Sequence, residues 1–516
     1  MPVRLLNCKI FLLNFLSNIF LYNQDAPLLF TRLYFWVFLL LVLTFYSILY
    51  KKRALRNIYL LIISLFFYYK TSGLFFLLLV SSTFSDYLIG LAIYNFRKKA
   101  WKKAMVALSV TINLGVLSYF KYAYFFTDLF NQTFRTDLEV VNFLALWANN
   151  VSASHFDASV IFLPVGISFF TFQTISYAVD VYRGKCQPVK NIIDFGFYVS
   201  FFPQLVAGPI VRASEFVPQL YAKYSLTREE FGFALWMIMK GLFKKMVLGD
   251  YLAVNFIDRI FDTPTLYTGF ENLMALYGYS LQVYCDFAGY TDIAIGVALL
   301  LGFRLPKNFN SPYKAENLGD FWRRWHMSLS SWLKDYLYIP IGGNRKGKLR
   351  TNINLMVTML LGGLWHGANM KFIIWGGLNG IGLIVYKFWK KISPYENKKN
   401  IWAHILKIFL TFNFITFTRI WFRADDMDRV NAMLFQLTHS MDLWVIPEAI
   451  LSYKLVFSIM IFGYVLHWLP QHWKDSWMNW FIRIPHWVKV IIVVVLVFLI
   501  YQSQTSDLQP FIYFQF

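Results

Sequence analysis

With 516 residues, of which 58% are hydrophobic, 20% aromatic and only 15% charged, the chain is too poor in charge for a soluble protein, where about a quarter is usual. Its formal charge of +21 excludes an acidic solvating chain. The bases gather between long apolar runs rather than along one face, which argues against nucleic acid as a partner. A mean hydropathy of +0.47 and near-continuous apolar runs such as Gly73 to Tyr94 and Val490 to Tyr501 identify a polytopic membrane protein, because a spanning helix needs about 20 mainly apolar residues.

In chain order, the first twenty residues are apolar with an early Arg4 and Lys9, and no small-x-small cleavage site precedes Pro27. This predicts an uncleaved interfacial lead-in over 1–26. Candidate spans follow at 33–50, 57–70, 73–95, 104–126, 158–180, 193–210, 230–249, 270–301, 352–364, 370–390, 403–421, 453–469 and 487–501. Several are short or hold charges, so about ten to twelve crossings are expected, with the rest re-entrant or interfacial. Basic clusters lie at Lys51–Arg56, Arg97–Lys103, Arg345–Arg350 and Lys387–Lys399, as cytoplasmic loops require under the positive-inside rule. The interval Thr127 to Asp157 reads as an external or interfacial loop. No repeat or separable soluble domain is evident, so 1–516 is expected to be one all-α membrane domain.

The region 303–350 is too polar to span yet dense in Trp and Tyr. It predicts an interfacial or re-entrant catalytic region, with Asp320 as N-cap of a helix running from Phe321 toward Asp335. On that helix Trp325, Leu329 and Trp332 would share one face, and Arg323, Arg324 and Lys334 would supply charge. Before the last span stand Arg483, His486 and Lys489; after it, 502–516 holds no Lys or Arg. The C-terminal tail is therefore expected outside the cytoplasm.

Polar groups at membrane depth are functional candidates. His366 lies in Leu360-Leu-Gly-Gly-Leu-Trp-His-Gly-Ala-Asn369, with Trp365 and Asn369 as supporting residues, and His326 lies in the Trp-rich region beside Arg324. Each imidazole could act as a general base near working pH; each could equally be a buried histidine bonded to a backbone carbonyl. Asp286 and Asp292, in Tyr284-Cys-Asp-Phe-Ala-Gly-Tyr-Thr-Asp292, could orient a histidine or line a polar path, or could serve helix packing beside Ala288, Gly289 and Gly296. The segment Pro203 to Arg212 reads as a broken helix end, with Arg212 snorkelling. Cys8, Cys186 and Cys285 share no ligand spacing, and His467 and His472 have no third ligand nearby, so no metal site is expected.

Taken together, Pro203 to Arg212, Tyr284 to Gly296, Asn308 to Arg345 with its Phe321-Trp-Arg-Arg-Trp-His-Met-Ser-Leu-Ser330 core, and Leu-Trp-His-Gly-Ala around His366 resemble the bacterial branch of the membrane-bound O-acyltransferase family, near the alginate O-acetyltransferase membrane subunits. The resemblance runs from about Pro27 to the C-terminus. It implies a ring of helices around a central funnel, His366 as the signature histidine and His326 as the second one. It further implies acetyl-CoA as a cytoplasmic donor substrate with no tightly bound cofactor, and a bacterial cytoplasmic membrane. The implied partners are an extracytoplasmic serine-hydrolase-like protein and an exported polysaccharide acceptor.

The terminal Phe511-Ile-Tyr-Phe-Gln-Phe516 resembles the aromatic tail of the small peptide in the related D-alanyl transfer system, which implies Tyr513 as an acyl relay served by His366. An aromatic interface anchor is the other reading. Two other functions stay open from the residues alone: D-alanyl transfer to teichoic acid, and a non-enzymatic polysaccharide transporter.

Overall fold

The computed structural model describes residues 21–23, 27–152, 156–205, 208–394 and 400–503. Among these, all regular structure is helical, as expected for a chain that must satisfy its backbone polar groups inside a bilayer. Most of the 1–26 lead-in and all of 504–516, including Tyr513, lie outside the described residues.

The chain divides into two compact units, Met1–Val206 with Val211–Tyr224 and Ala207–Ile210 with Ser225–Phe516. In the first, helices Phe76–Asn95, Lys99–Leu117 and Ile167–Tyr182 are tied by a buried polar chain. Ser109 Oγ and Asn113 Nδ2 donate to Asp86 at 2.6 and 2.7 Å, and Thr174 Oγ1 donates to Asn113 Oδ1 at 2.9 Å. Each member has a partner, the condition under which a buried polar network holds helices together. The expected loop at Thr127 to Asp157 is partly helical, with helices Ala123–Phe134 and Phe143–Ser152.

The second unit is built on the helix pair Arg228–Leu242 and Gly269–Leu300. Both begin with a full capping box, Thr227 with Glu230 and Thr268 with Glu271, which satisfies two orphan amides at each start. The backbones approach closely through glycine: a Cβ on Gly289 would stand 2.8 Å from the Gly241 carbonyl oxygen, and one on Gly296 2.6 Å from that of Ala234. Beyond Leu242 the helix widens into π-helical turns over Phe243–Asp250, which lets the adjacent Lys244 and Lys245 both reach carboxylates of the partner helix.

Among the described residues six helical stretches are long and apolar enough to cross a membrane, or seven if the bent pair Leu443–Ser452 and Lys454–Trp468 forms one span. That is fewer by length and composition than the ten to twelve anticipated. The difference lies in helices such as Arg228–Leu242 and Gly347–His366, whose apolar runs are interrupted by lysine, arginine or asparagine. The protein is a multi-pass helical membrane protein.

Candidate active site

The second unit gathers the two histidine motifs. The segment after the Gly269–Leu300 helix runs beside the Trp-rich core: Asn310 N donates to Arg324 O and Met327 N to Asn308 O, both at 2.9 Å. The core is not the continuous helix expected from Asp320 onward. Asn317 is the N-cap, its side chain accepting from Asp320 N at 2.8 Å, and the helix Leu318–Arg324 stops at Trp325. The next helix starts at Met327. Between them His326 adopts a left-handed conformation, φ +43°, uncommon for a residue with a Cβ and worth a functional explanation. The break turns the imidazole inward, where it is fully buried.

There the His326 ring is held by a defined partner. Nδ1 lies 3.2 Å from Asn308 Oδ1. That oxygen also accepts from Ser328 N at 3.1 Å and Ser328 Oγ at 3.0 Å, while Ser328 Oγ accepts from Ile210 N at 3.1 Å. Since the amide oxygen can only accept, Nδ1 must donate, and the lone pair belongs to Nε2. Burial pushes the imidazole down to about 3, so the ring is neutral at working pH. The edge contact with Phe287, ring centres 4.6 Å apart, fixes its plane. The site thus holds a neutral, tautomer-selected imidazole, as a general base must be.

His366 is the last residue of the helix Gly347–His366. Its ring is buried among Trp365, Trp375 and Phe422, at centre distances of 5.0, 5.1 and 5.1 Å. The helix hairpin that presents it is locked by close backbone approach: a Cβ on Gly363 would sit 2.2 Å from Phe372 O, and one on Gly376 2.4 Å from Met359 O. Asn369 ends the turn by capping the helix Met370–Ile392, its side chain accepting from Lys371 N at 3.0 Å. Trp365 joins the two histidines, with ring centres 5.0 Å from His366 and 6.1 Å from His326. Two imidazoles from motifs forty residues apart therefore share one indole in a buried aromatic setting, where hydrogen bonds and developing charge count for more than in water.

The remaining candidates have other neighbours. Asp286 pairs with Lys245 at 2.5 Å and Asp292 with Lys244 at 2.8 Å and Lys240 at 3.2 Å; these ion pairs link them to the neighbouring helix. Arg324 is partly exposed and bonds Asp320 at 2.7 Å. What sequence reasoning missed is the role of Asn308 toward His326; its signal was its place at the start of the family-like stretch Asn308 to Arg345. Arg419 was missed as well: its guanidinium stacks over Trp325 at 4.5 Å and donates to Tyr313 Oη at 3.2 Å. Among the described residues no three His, Cys, Asp or Glu side chains gather as a metal site.

Comparison with known proteins gives the chain's family. Residues 189–424, which contain both histidines, match the family model described as MBOAT, membrane-bound O-acyltransferase family. A peptidoglycan O-acetyltransferase of Helicobacter pylori is 38% identical over 376 residues, covering 68% of this chain and 67% of that one. A probable alginate O-acetylase AlgI of Pseudomonas aeruginosa is 39% identical over 416 residues, 80% and 75% of the two chains. A teichoic acid D-alanyltransferase of Bacillus subtilis is 32% identical over 270 residues, 49% of this chain and 67% of that one. The chain belongs to the membrane-bound O-acyltransferase family. It is an acyltransferase, not a bare transporter.

Proposed function

We propose that the protein moves acetyl groups from cytoplasmic acetyl-CoA across the membrane for the O-acetylation of an exported or cell-surface polysaccharide. The observation that carries this reading is the pair of buried imidazoles flanking Trp365, in a chain whose relatives over two thirds or more of its length are named O-acetyltransferase and O-acetylase. The D-alanyltransferase match spans only about half of the chain and makes that donor the weaker alternative.

In the proposed reaction His366 takes the proton of an attacking hydroxyl as its oxygen adds to the thioester carbonyl. The tetrahedral intermediate collapses with loss of the thiolate, which recovers the proton, leaving an oxygen ester and a free thiol. His326, held as the Nδ1–H tautomer by Asn308, accepts a hydrogen bond at Nε2 and orients the hydroxyl. The hydroxyl we assign is that of Tyr513, at the end of a tail placed outside by the charge asymmetry around the last helix. An aryl ester is a better acyl donor than an alkyl ester, which suits a relay. An extracytoplasmic partner with a serine-hydrolase-like fold would then pass the acetyl group to the polysaccharide. The setting is the bacterial cytoplasmic membrane.

The test is acyl trapping on purified protein with radiolabelled acetyl-CoA and no partner, comparing the wild type with His366→Ala and Tyr513→Phe. Label on the wild type that vanishes with either change supports the relay. Label that survives Tyr513→Phe makes the tail an anchor. No label from acetyl-CoA, with label from a D-alanyl carrier protein, replaces the donor.

A further inference from the structure

A cavity of about 500 Å³ opens in the second unit away from the His366 aromatic box, large enough for part of a lipid-sized ligand. Its walls are of two kinds. One is apolar and belongs to the membrane: Ile492, Val495, Leu496 and Leu499 come from the spanning helix His486–Ser503, and Val495 is half exposed to the surroundings. The other is basic. Lys240, Lys244, Lys307 and Lys474 line it against only two carboxylates, Asp292 and Asp475. Asp292 is shared by Lys240 and Lys244, and Asp475 accepts from Gln471 at 2.9 Å.

Behind this wall two buried donors of lining residues lack a hydrogen-bond partner. Tyr313 N donates to His467 Nε2 at 3.3 Å, so the His467 proton must sit on Nδ1, and Nδ1 has no hydrogen-bond partner in a residue 4% exposed. Asn308, 1% exposed, uses Oδ1 for His326 and Ser328 and leaves Nδ2 without a partner. A buried donor left unsatisfied is costly. Cations on one wall, facing hydrocarbon on the other, call for an anionic oxygen-rich head joined to an apolar chain.

The geometry points to an anionic phospholipid as the occupant: its phosphate lies against Lys240, Lys244, Lys474 and His467, and one acyl chain lies along the last spanning helix. The lipid source follows from the rim. Lys474 and Trp477 belong to the helix Gln471–Arg483, which is too short and polar to cross, and which exposes Trp473, Trp477 and Trp480. Such a belt marks the headgroup level. The polar end of the cavity is therefore at headgroup depth and its open side is in the bilayer. Asn308 is at once a lining residue of the cavity and the partner of His326 Nδ1.

The test uses the full-length protein in neutral detergent, titrated with phosphatidylglycerol or chain-matched phosphatidylcholine and read by native mass spectrometry. Phosphatidylglycerol should bind at least tenfold more tightly. Lys474→Gln should weaken it at least tenfold, Lys474→Arg should retain it, and Lys348→Gln, remote from the cavity, should change nothing; unchanged melting temperatures exclude a folding defect. Should Lys474→Gln fail to fold, Lys240→Gln takes its place. Equal binding of the two lipids, or indifference to both lysine variants, overturns the proposal. So does displacement of phosphatidylglycerol by acetyl-CoA, which would give the cavity to a water-soluble phosphate ester. Neither readout requires turnover, so failure here leaves the acetyl-transfer reading untouched.

Discussion

Asn308 Oδ1 lies 3.2 Å from His326 Nδ1, and this contact chooses which imidazole nitrogen is left to accept a hydrogen bond. Asn308→Ala removes the acceptor, freeing the ring to take the wrong tautomer, and should lower kcat by about 10- to 100-fold with little change in donor KM, given what positioned acid–base groups contribute. Asn308→Asp keeps the acceptor and should retain more activity than the alanine variant. Steady-state kinetics on reconstituted protein with a soluble acceptor checks both. Equal loss in the two variants would remove tautomer selection as the reason for the contact.

The buried His326 also predicts a dependence of stability on acid. Its folded pKa is pushed down to about 3 by desolvation, whereas the unfolded value is near 6.5. Below about pH 6.5 the unfolded chain takes up a proton that the folded site refuses, so stability is full above that pH and falls as pH drops toward 3. The contribution approaches roughly 1 kcal/mol per pH unit in the middle of that window. His326→Gln, which has nothing to titrate, should therefore lose less melting temperature than the wild type between pH 7.5 and 5. Parallel pH profiles for the two proteins would contradict it.

The hairpin that carries His366 makes a steric prediction. Gly376→Ala would place a methyl 2.4 Å from the Met359 carbonyl oxygen, a backbone atom that cannot swing aside. The helices must separate, at a cost of about 1–3 kcal/mol for overpacking, and His366 moves with them. Activity should fall more than tenfold. Gly377→Ala, one residue on, meets only the Leu360 side chain at 3.5 Å and should be tolerated. Thermal unfolding and activity of the pair test it.

Much of this arrangement can be read from sequence, and the misses share a cause. Helices such as Gly269–Leu300 and Met370–Ile392 were anticipated within a few residues because their apolar runs are a property of local sequence. The break at His326 was not, since a left-handed residue with a Cβ carries no Gly or Pro to announce it. Asn308 could not be assigned because its partner lies 18 residues away across a fold in the chain. The partners of Asp286 and Asp292 had a weak signal: three lysines, Lys240, Lys244 and Lys245, interrupt the candidate span 230–249. Buried cations and buried anions in neighbouring spans call for one another, an inference available before any coordinates.

Those ion pairs give the last prediction. Lys245 bonds both Asp286 at 2.5 Å and Asp250 at 2.6 Å, with its side chain almost wholly buried. Lys245→Met leaves two carboxylates facing each other without a cation, and removing one partner of a buried pair costs about 3–5 kcal/mol. Asp286→Asn leaves Lys245 its contact with Asp250 and should cost markedly less. Since Asp286 is tied by this ion pair to the neighbouring helix, the protein that still folds as Asp286→Asn should keep kcat within a few fold. Folded yield by size exclusion, followed by turnover per folded molecule, separates the two roles. Near-normal yield with a hundredfold loss of kcat would place Asp286 in the reaction instead of the scaffold.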